Sequence, residues 1–102
     1  YVVLGSFVDA RVNGGAPVDE EWRWQYSLSN SGDTIRLLAG TREIDVVAYD
    51  PTFPDVEGAS LSLDGATLDP SDNDDATRWC PGSSPYGVGD LGTPGEANPS
   101  CP

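Results

Sequence analysis

Apolar and polar residues alternate along the middle of the chain, in three runs separated by turn-forming residues. The runs cover residues 22–29, 34–39 and 43–50. Alternation with a period of two is typical of β-strands, in which successive side chains point to opposite faces. The segments 30–33 and 40–42 carry the Asn, Gly and Asp residues that favour turns. The pattern therefore predicts an antiparallel meander. The third strand has apolar residues on both faces and is expected to be a central strand of the sheet.

Aromatic residues dominate one face of the first predicted strand. Trp22, Trp24 and Tyr26 recur at every second position and are followed by Leu28. Such a row is typical of packing in a core or on a sheet surface. Exposed rings can instead stack on sugar rings or bases, so Trp22, Trp24 and Tyr26 form a candidate interaction surface.

Shorter apolar runs on either side of the meander extend the β pattern. Residues 1–5 and 59–64 predict two further strands, and 78–80 a brief return of the chain. The 12 Gly and 9 Pro make turns frequent, and no segment has helical periodicity. We expect one all-β domain over residues 1–102, an antiparallel β-sandwich, ending in a Pro- and Gly-rich tail at 81–102.

The charge of the chain restricts its partners. It contains 17 Asp and Glu against five Arg, no His, and a formal charge of −12. This charge disfavours nucleic acid and anionic lipid, and no stretch is apolar for long enough to span a bilayer. Cations, basic surfaces and uncharged polymers are the expected partners, although acidity can also serve only to keep a surface soluble.

Two cysteines enclose the tail. In a small secreted domain, Cys80 and Cys101 predict a disulfide. Two Cys without any His cannot complete a zinc site. The prediction of a disulfide carries with it the expectation of a secreted or cell-surface protein.

Catalytic chemistry has little support, whereas one acidic loop is a candidate metal site. Without His, Lys or a free Cys, the common nucleophile–base pairs cannot form, so we expect no enzyme activity. In residues 69–75, Asp and Asn supply the oxygen ligands that Ca²⁺ prefers, but the spacing is not that of an EF-hand. Such residues also favour ordinary turns. The candidate Ca²⁺ ligands are Asp69, Asp72, Asp74 and Asp75.

Several segments together resemble the lamin-tail domain family in its secreted bacterial form. They run in the family's order and end in a Thr-Pro-Gly-x-x-Asn motif; they are residues 28–37, 44–50, 58–63, 79–80 and 92–99. The resemblance implies an immunoglobulin-like antiparallel β-sandwich without catalytic residues. It also implies a module that binds other proteins, often beside hydrolases or nucleases.

The beginning of the chain departs from this family pattern. Residues 1–5 resemble the middle of the family rather than its start, so the first strands are expected to be missing. A sandwich without them would expose apolar surface and strand edges. An upstream portion, a separated but associated portion, or a neighbouring subunit would each supply them.

Two functions follow from these expectations. The first is a non-catalytic extracellular structural or interaction module, in its most specific form a self-assembling surface or filament subunit. The second is an accessory domain of a secreted hydrolase that binds Ca²⁺ or substrate and anchors the enzyme.

Overall fold

The computed structural model describes residues 1–23, 25–66 and 69–102, and these residues form short strands with almost no helix. One 3₁₀ helix, Ala76–Arg78, interrupts the strands. The strands are β1 (Leu4–Gly5), β2 (Glu20–Glu21), β3 (Asp33–Ala39), β4 (Arg42–Tyr49), β5 (Leu61–Leu63), β6 (Trp79–Pro81), β7 (Pro85–Tyr86) and β8 (Asp90–Leu91).

The strands pair in sheets of two. β3–β4, β5–β6 and β7–β8 are antiparallel, and β1–β2 is parallel. A parallel bridge between Ala59 and Leu91 links the β5 region to β8. The all-β class expected from the sequence is confirmed at this level.

The β3–β4 hairpin is the longest regular element among the described residues. Its register runs from Asp33 opposite Tyr49 to Ala39 opposite Arg42, around a turn in which Gly40 has φ +63. The register shifts between Leu37, opposite Asp45, and Leu38, opposite Glu43, so Ile44 is the extra residue of a bulge. The second and third predicted strands are therefore confirmed.

The prediction of the first strand of the meander is wrong. The described residues of 22–29 form no strand; instead, the backbone N–H of Gln25 donates to the carbonyl of Trp22 at 3.1 Å. This turn brings the rings of Trp22 and Tyr26 to a centroid distance of 5.2 Å. A local aromatic contact thus replaces the cross-strand contacts that alternation predicts. β4, expected at the centre of a sheet, pairs with β3 alone among the described strands.

The flanking strands are shorter than predicted. Of residues 1–5, Leu4–Gly5 alone forms a strand, and its partner β2 lies where the alternation pattern predicts no strand. The strand predicted at 59–64 is confirmed as β5, and the return at 78–80 is confirmed as β6.

Covalent and polar links fix the tail against β5 and β6. The predicted disulfide between Cys80 and Cys101 is present, with a Cα–Cα distance of 5.8 Å. The side-chain amide of Asn98 donates to the carbonyl of Leu63 at 2.8 Å, and the N–H of Gly65 donates to the carbonyl of Pro99 at 3.2 Å. The terminal segment of the tail is therefore held along β5.

Two glycines allow the tail to approach β5 closely. A Cβ on Gly82 would lie 2.6 Å from Oγ of Ser60 and 2.8 Å from the carbonyl oxygen of Leu91. A Cβ on Gly92 would lie 2.7 Å from the same hydroxyl. A side chain at position 82 would separate these segments, because the carbonyl of Leu91 belongs to the backbone and cannot rotate away. At position 92 the close contact is the Ser60 hydroxyl, which belongs to a side chain that can rotate.

The buried core is small. Among the described residues, Phe53 is the one large apolar side chain in the buried class, with 8% of its surface exposed. Much of the remaining apolar surface faces solvent, as a thin core in a short chain would lead one to expect. The described part of the chain contains no helix with the length and apolar character needed to cross a membrane.

Candidate interaction surface

A cavity of about 500 Å³ opens between the β3–β4 hairpin and the β5–β6 pair. The hairpin contributes Ile35 and Val47, which lie opposite each other and therefore share a face. Leu61 and Trp79 come from the other pair. The remaining lining residues are Leu28, Ser29, Asn30, Tyr49, Asp50, Pro51, Phe53, Pro54, Asp55, Val56 and Ala59.

The turn after β4 brings an aromatic ring into this cavity. The N–H of Phe53 donates to the carbonyl of Asp50 at 3.0 Å, which closes the turn. The Asp50 carboxylate accepts from the N–H and hydroxyl of Thr52 at 2.8 and 2.6 Å. The ring of Phe53 then lies 6.0 Å from that of Trp79, tilted by 55°. The pair of prolines in 51–54 ends the strand, and the aromatic contact fixes the loop against β6.

The cavity has two acidic residues in its lining. Asp50 and Asp55 are its charged lining residues, and the hydroxyl of Tyr49 donates to the carbonyl of Ser29 at 2.7 Å. Burial raises the pKa of Tyr49, and the nearby charge of Asp33 raises it further. Hydrogen bonds from Thr52 lower the pKa of Asp50, so this carboxylate is ionised at neutral pH.

Two aspartates of the hairpin accept hydrogen bonds from backbone N–H groups of the hairpin itself. The N–H of Thr34 donates to Oδ1 of Asp33 at 2.8 Å, and the N–H of Val46 donates to Oδ1 of Asp45 at 2.9 Å. These donors are thereby used within their own strands. In the described parts of the chain, no backbone hydrogen bond joins 34–48 to a segment outside the hairpin. Exposed edges invite strand pairing, and local capping of their donors opposes it.

The faces of the hairpin, by contrast, expose apolar side chains. Leu37 is 61% exposed and Leu38 53%, while Ile44 at the bulge is 45% exposed. Ile35, at the mouth of the cavity, is also exposed. Large apolar side chains left exposed on a sheet are candidates for contact with another molecule.

The predicted aromatic row is not a flat platform. Trp22 and Tyr26 lie against each other with planes tilted by 49°, and Trp24 lies outside the described residues. Tyr26 is partly exposed, whereas more of Trp22 is covered. The structure therefore brings two members of the row together through a turn, not along a strand.

The acidic loop 69–75 uses two of its four predicted Ca²⁺ ligands to shape turns. Oδ1 of Asp69 accepts from the N–H and hydroxyl of Ser71, and Oδ1 of Asp75 accepts from those of Thr77. These hydrogen bonds lower the pKa of both carboxyl groups.

The four carboxylates are not assembled around one point. Within residues 1–23, 25–66 and 69–102, no group of three or more acidic, Cys or His side chains is placed to hold a metal ion. The two ligand candidates other than Asp69 and Asp75 are Asp72 and Asp74, which lie at partly and fully exposed positions of the same loop. Calcium binding at Asp69, Asp72, Asp74 and Asp75 stays a prediction.

Sequence reasoning missed the central residue of this loop. Asn73 is 8% exposed. Its side-chain amide N–H donates to Oδ2 of Asp45 at 2.7 Å, and its backbone carbonyl accepts from the indole N–H of Trp79 at 2.8 Å. It therefore joins the hairpin to β6. Its Oδ1 is buried without a hydrogen-bond partner among the described residues. The sequence signal was a single Asn within a run of Asp, which composition alone marks only as a turn.

Comparison with known proteins gives no match to a family model, to a curated protein or to a solved structure.

Proposed function

We propose that the chain is a non-catalytic extracellular interaction module of the lamin-tail type. In this proposal the apolar face of the β3–β4 hairpin and the adjoining cavity pack against another protein. The two antiparallel pairs on either side of the cavity would belong to the two sheets of an immunoglobulin-like sandwich. The disulfide between Cys80 and Cys101 supports the extracellular assignment, since such bonds persist in oxidising compartments.

The exposed apolar surface of the hairpin is the observation that carries this proposal. Leu37, Leu38 and Ile44 place large apolar side chains in solvent while the chain buries little apolar surface of its own. Covering them with a partner would stabilise the complex by the usual hydrophobic contribution, roughly 25 cal/mol for each Å². The capped edges favour contact through the face of the hairpin over addition of a strand at Thr34 or Val46.

A second copy of the chain is the most specific partner within this proposal, and it would make the module a surface or filament subunit. Two chains of charge −12 repel each other, so self-association must strengthen as added salt screens this repulsion. A basic partner gives the opposite dependence, because salt weakens its attraction to the chain. The direction of the salt effect therefore separates the two kinds of partner.

Sedimentation equilibrium tests self-assembly. We expect the mass to rise with protein concentration and with salt, and we expect Leu37→Ser to shift the equilibrium towards the monomer. Val88→Ser is the matched control, since Val88 is equally apolar and 86% exposed but lies in the β7–β8 turn. A monomer at every salt and protein concentration would contradict the self-assembling form.

The alternative function is an accessory domain of a secreted hydrolase. The intact mass of the native gene product distinguishes it from the first proposal. A large product that contains a hydrolase domain would favour the accessory role, whereas a small product that polymerises would favour the structural one.

A further inference from the structure

The cavity combines two features that its role as an apolar contact surface does not require. Among the described residues, three aromatic residues belong to its lining, namely Tyr49, Phe53 and Trp79. The acidic residues Asp50 and Asp55 belong to it as well. Rings and carboxylates in one recess attract the same class of ligand, because the negative face of a ring and a carboxylate both favour positive charge.

Three of the five Arg side chains pair with carboxylates outside the cavity. In the described residues, Arg11 pairs with Asp9, Arg23 with Glu21 and Arg36 with Glu43. The lining of the cavity contains no Arg, so neither carboxylate has a cationic partner there. Asp33 adds further negative potential, since its charge contributes to the raised pKa of Tyr49.

Other classes of ligand fit the cavity less well. An anion would meet two carboxylates and the net charge of −12. A hard metal ion needs six to eight oxygen ligands, which two carboxylates among apolar walls cannot supply. A neutral apolar molecule would cover the rings but give neither carboxylate a cationic partner.

We propose that this cavity binds an alkylammonium group, with Trp79, Phe53 and Tyr49 against its methyl or methylene groups and Asp55 and Asp50 near its charge. The volume of about 500 Å³ lies within the range of small-ligand sites. A methylated ammonium compound and the lysine side chain of a partner share this chemistry. The lysine source rests on the proposed interaction function, whereas the small-molecule source does not.

Nuclear magnetic resonance titration with choline tests the proposal. The neutral isostere 3,3-dimethylbutan-1-ol has the same shape without the charge, and Nα-acetyl-lysine amide carries an unmethylated ammonium. We expect choline to shift the amide resonances of the cavity residues and to bind about tenfold more tightly than the neutral isostere, as expected for a partly desolvated cation–π site. Binding of the lysine derivative as tight as that of choline would identify a partner's lysine as the source, and weaker binding a methylated ammonium.

Matched variants separate specific binding from general attraction to an acidic protein. Asp55→Asn removes a charge from the cavity with little change in volume, at an exposed position. We expect it to weaken choline binding severalfold and to leave the neutral isostere unaffected. Glu57→Gln removes the same charge two residues away, outside the lining, and is expected to have no effect.

Tyr49→Leu tests the aromatic contribution, and near-ultraviolet circular dichroism shows whether this variant folds. Tyr49→Phe keeps the ring and loses only the hydroxyl bond to Ser29, so it is expected to bind choline more tightly than Tyr49→Leu does. Equal binding of choline and its neutral isostere, or no shift of cavity resonances with either, would overturn the proposal. Such a result would leave the interaction function standing, because the Leu37→Ser comparison measures that function separately.

Discussion

Asn73 connects the β3–β4 hairpin to β6 through one side-chain and one backbone hydrogen bond. It donates to Asp45 of β4 and accepts from Trp79 of β6 through its backbone carbonyl. The Asp45 carboxylate uses its other oxygen for the N–H of Val46, so Asn73 also helps to hold the residue that caps this edge. A polar contact in a largely buried position stabilises more than one at the surface.

Replacement of Asn73 by Ala should lower the free energy of unfolding by about 1–3 kcal/mol, because Oδ2 of Asp45 loses its donor in a partly buried position. Urea unfolding monitored by fluorescence measures this change. Asp74→Ala, at the neighbouring exposed position, is the control and should alter stability by less than about 0.5 kcal/mol. Equal effects of the two substitutions would contradict the bridging role.

Calcium binding by the acidic loop is tested by thermal melting. A ligand that binds only the folded state raises the melting temperature, and a chelator then reverses the rise. We predict such a rise with Ca²⁺ and its loss in Asp72→Asn. An unchanged melting temperature would mean that Asp69 and Asp75 serve only to cap the turns at Ser71 and Thr77.

At the scale of elements, the hairpin and the tail differ in how they are held. The hairpin depends on its own ladder, whereas the tail depends on the Cys80–Cys101 bond together with the Asn98–Leu63 and Gly65–Pro99 hydrogen bonds. The disulfide restricts the unfolded chain, and the hydrogen bonds stabilise the folded one. The two kinds of link therefore reinforce each other.

Loss of the disulfide in the double variant Cys80→Ser, Cys101→Ser should lower the free energy of unfolding by about 2–4 kcal/mol. Asn98→Ala in the native chain should cost about 1 kcal/mol. Without the disulfide, the same substitution should free residues 93–102 from β5, which hydrogen exchange at Gly65 would detect. Unchanged protection of Gly65 in the combined variant would argue against this coupling.

The sequence predicted those elements for which local signals agree. Alternation and the turn residues on both sides of the run indicate β3, and the same signals indicate β4; the structure confirms the hairpin, with Gly40 at positive φ in its turn. Alternation followed by turn residues also indicated a strand at 22–29, but there a turn with a Trp22–Tyr26 contact prevailed. The bulge at Ile44 and the bridging role of Asn73 depend on contacts between distant segments, so no local pattern announces them. The cavity likewise requires the position of one strand pair relative to the other.

For the whole molecule, titration of Asp side chains at acid pH and of Tyr49 at alkaline pH makes the free energy of unfolding depend on pH. Hydrogen bonds from neighbouring residues lower the pKa of Asp9, Asp50, Asp69 and Asp75 below their ordinary value of 3.8. Groups with lowered pKa values stabilise the folded state above pH 3.8, and this contribution is lost as the pH falls through the lower values. Tyr49 behaves in the opposite way. Burial raises its pKa above 10.0, so its contribution is lost as the pH rises through that higher value.

We therefore expect the free energy of unfolding to fall below about pH 4 and again above about pH 10. Urea unfolding at a series of pH values measures both limits. Ser71→Ala removes the hydroxyl donor to Asp69, and Thr77→Ala the donor to Asp75, so each should reduce the dependence at acid pH. Tyr49→Phe should remove part of the alkaline loss, and an unchanged alkaline limit in this variant would exclude Tyr49 as its source.

The close approach at Ser60 limits how far related sequences can diverge. Gly82 and Gly92 both approach one hydroxyl, but a methyl group at position 82 would also lie 2.8 Å from the backbone carbonyl oxygen of Leu91. Position 82 is therefore the more restricted of the two. A distant relative should therefore keep a glycine two residues after the cysteine of its short strand, even where most other positions have changed.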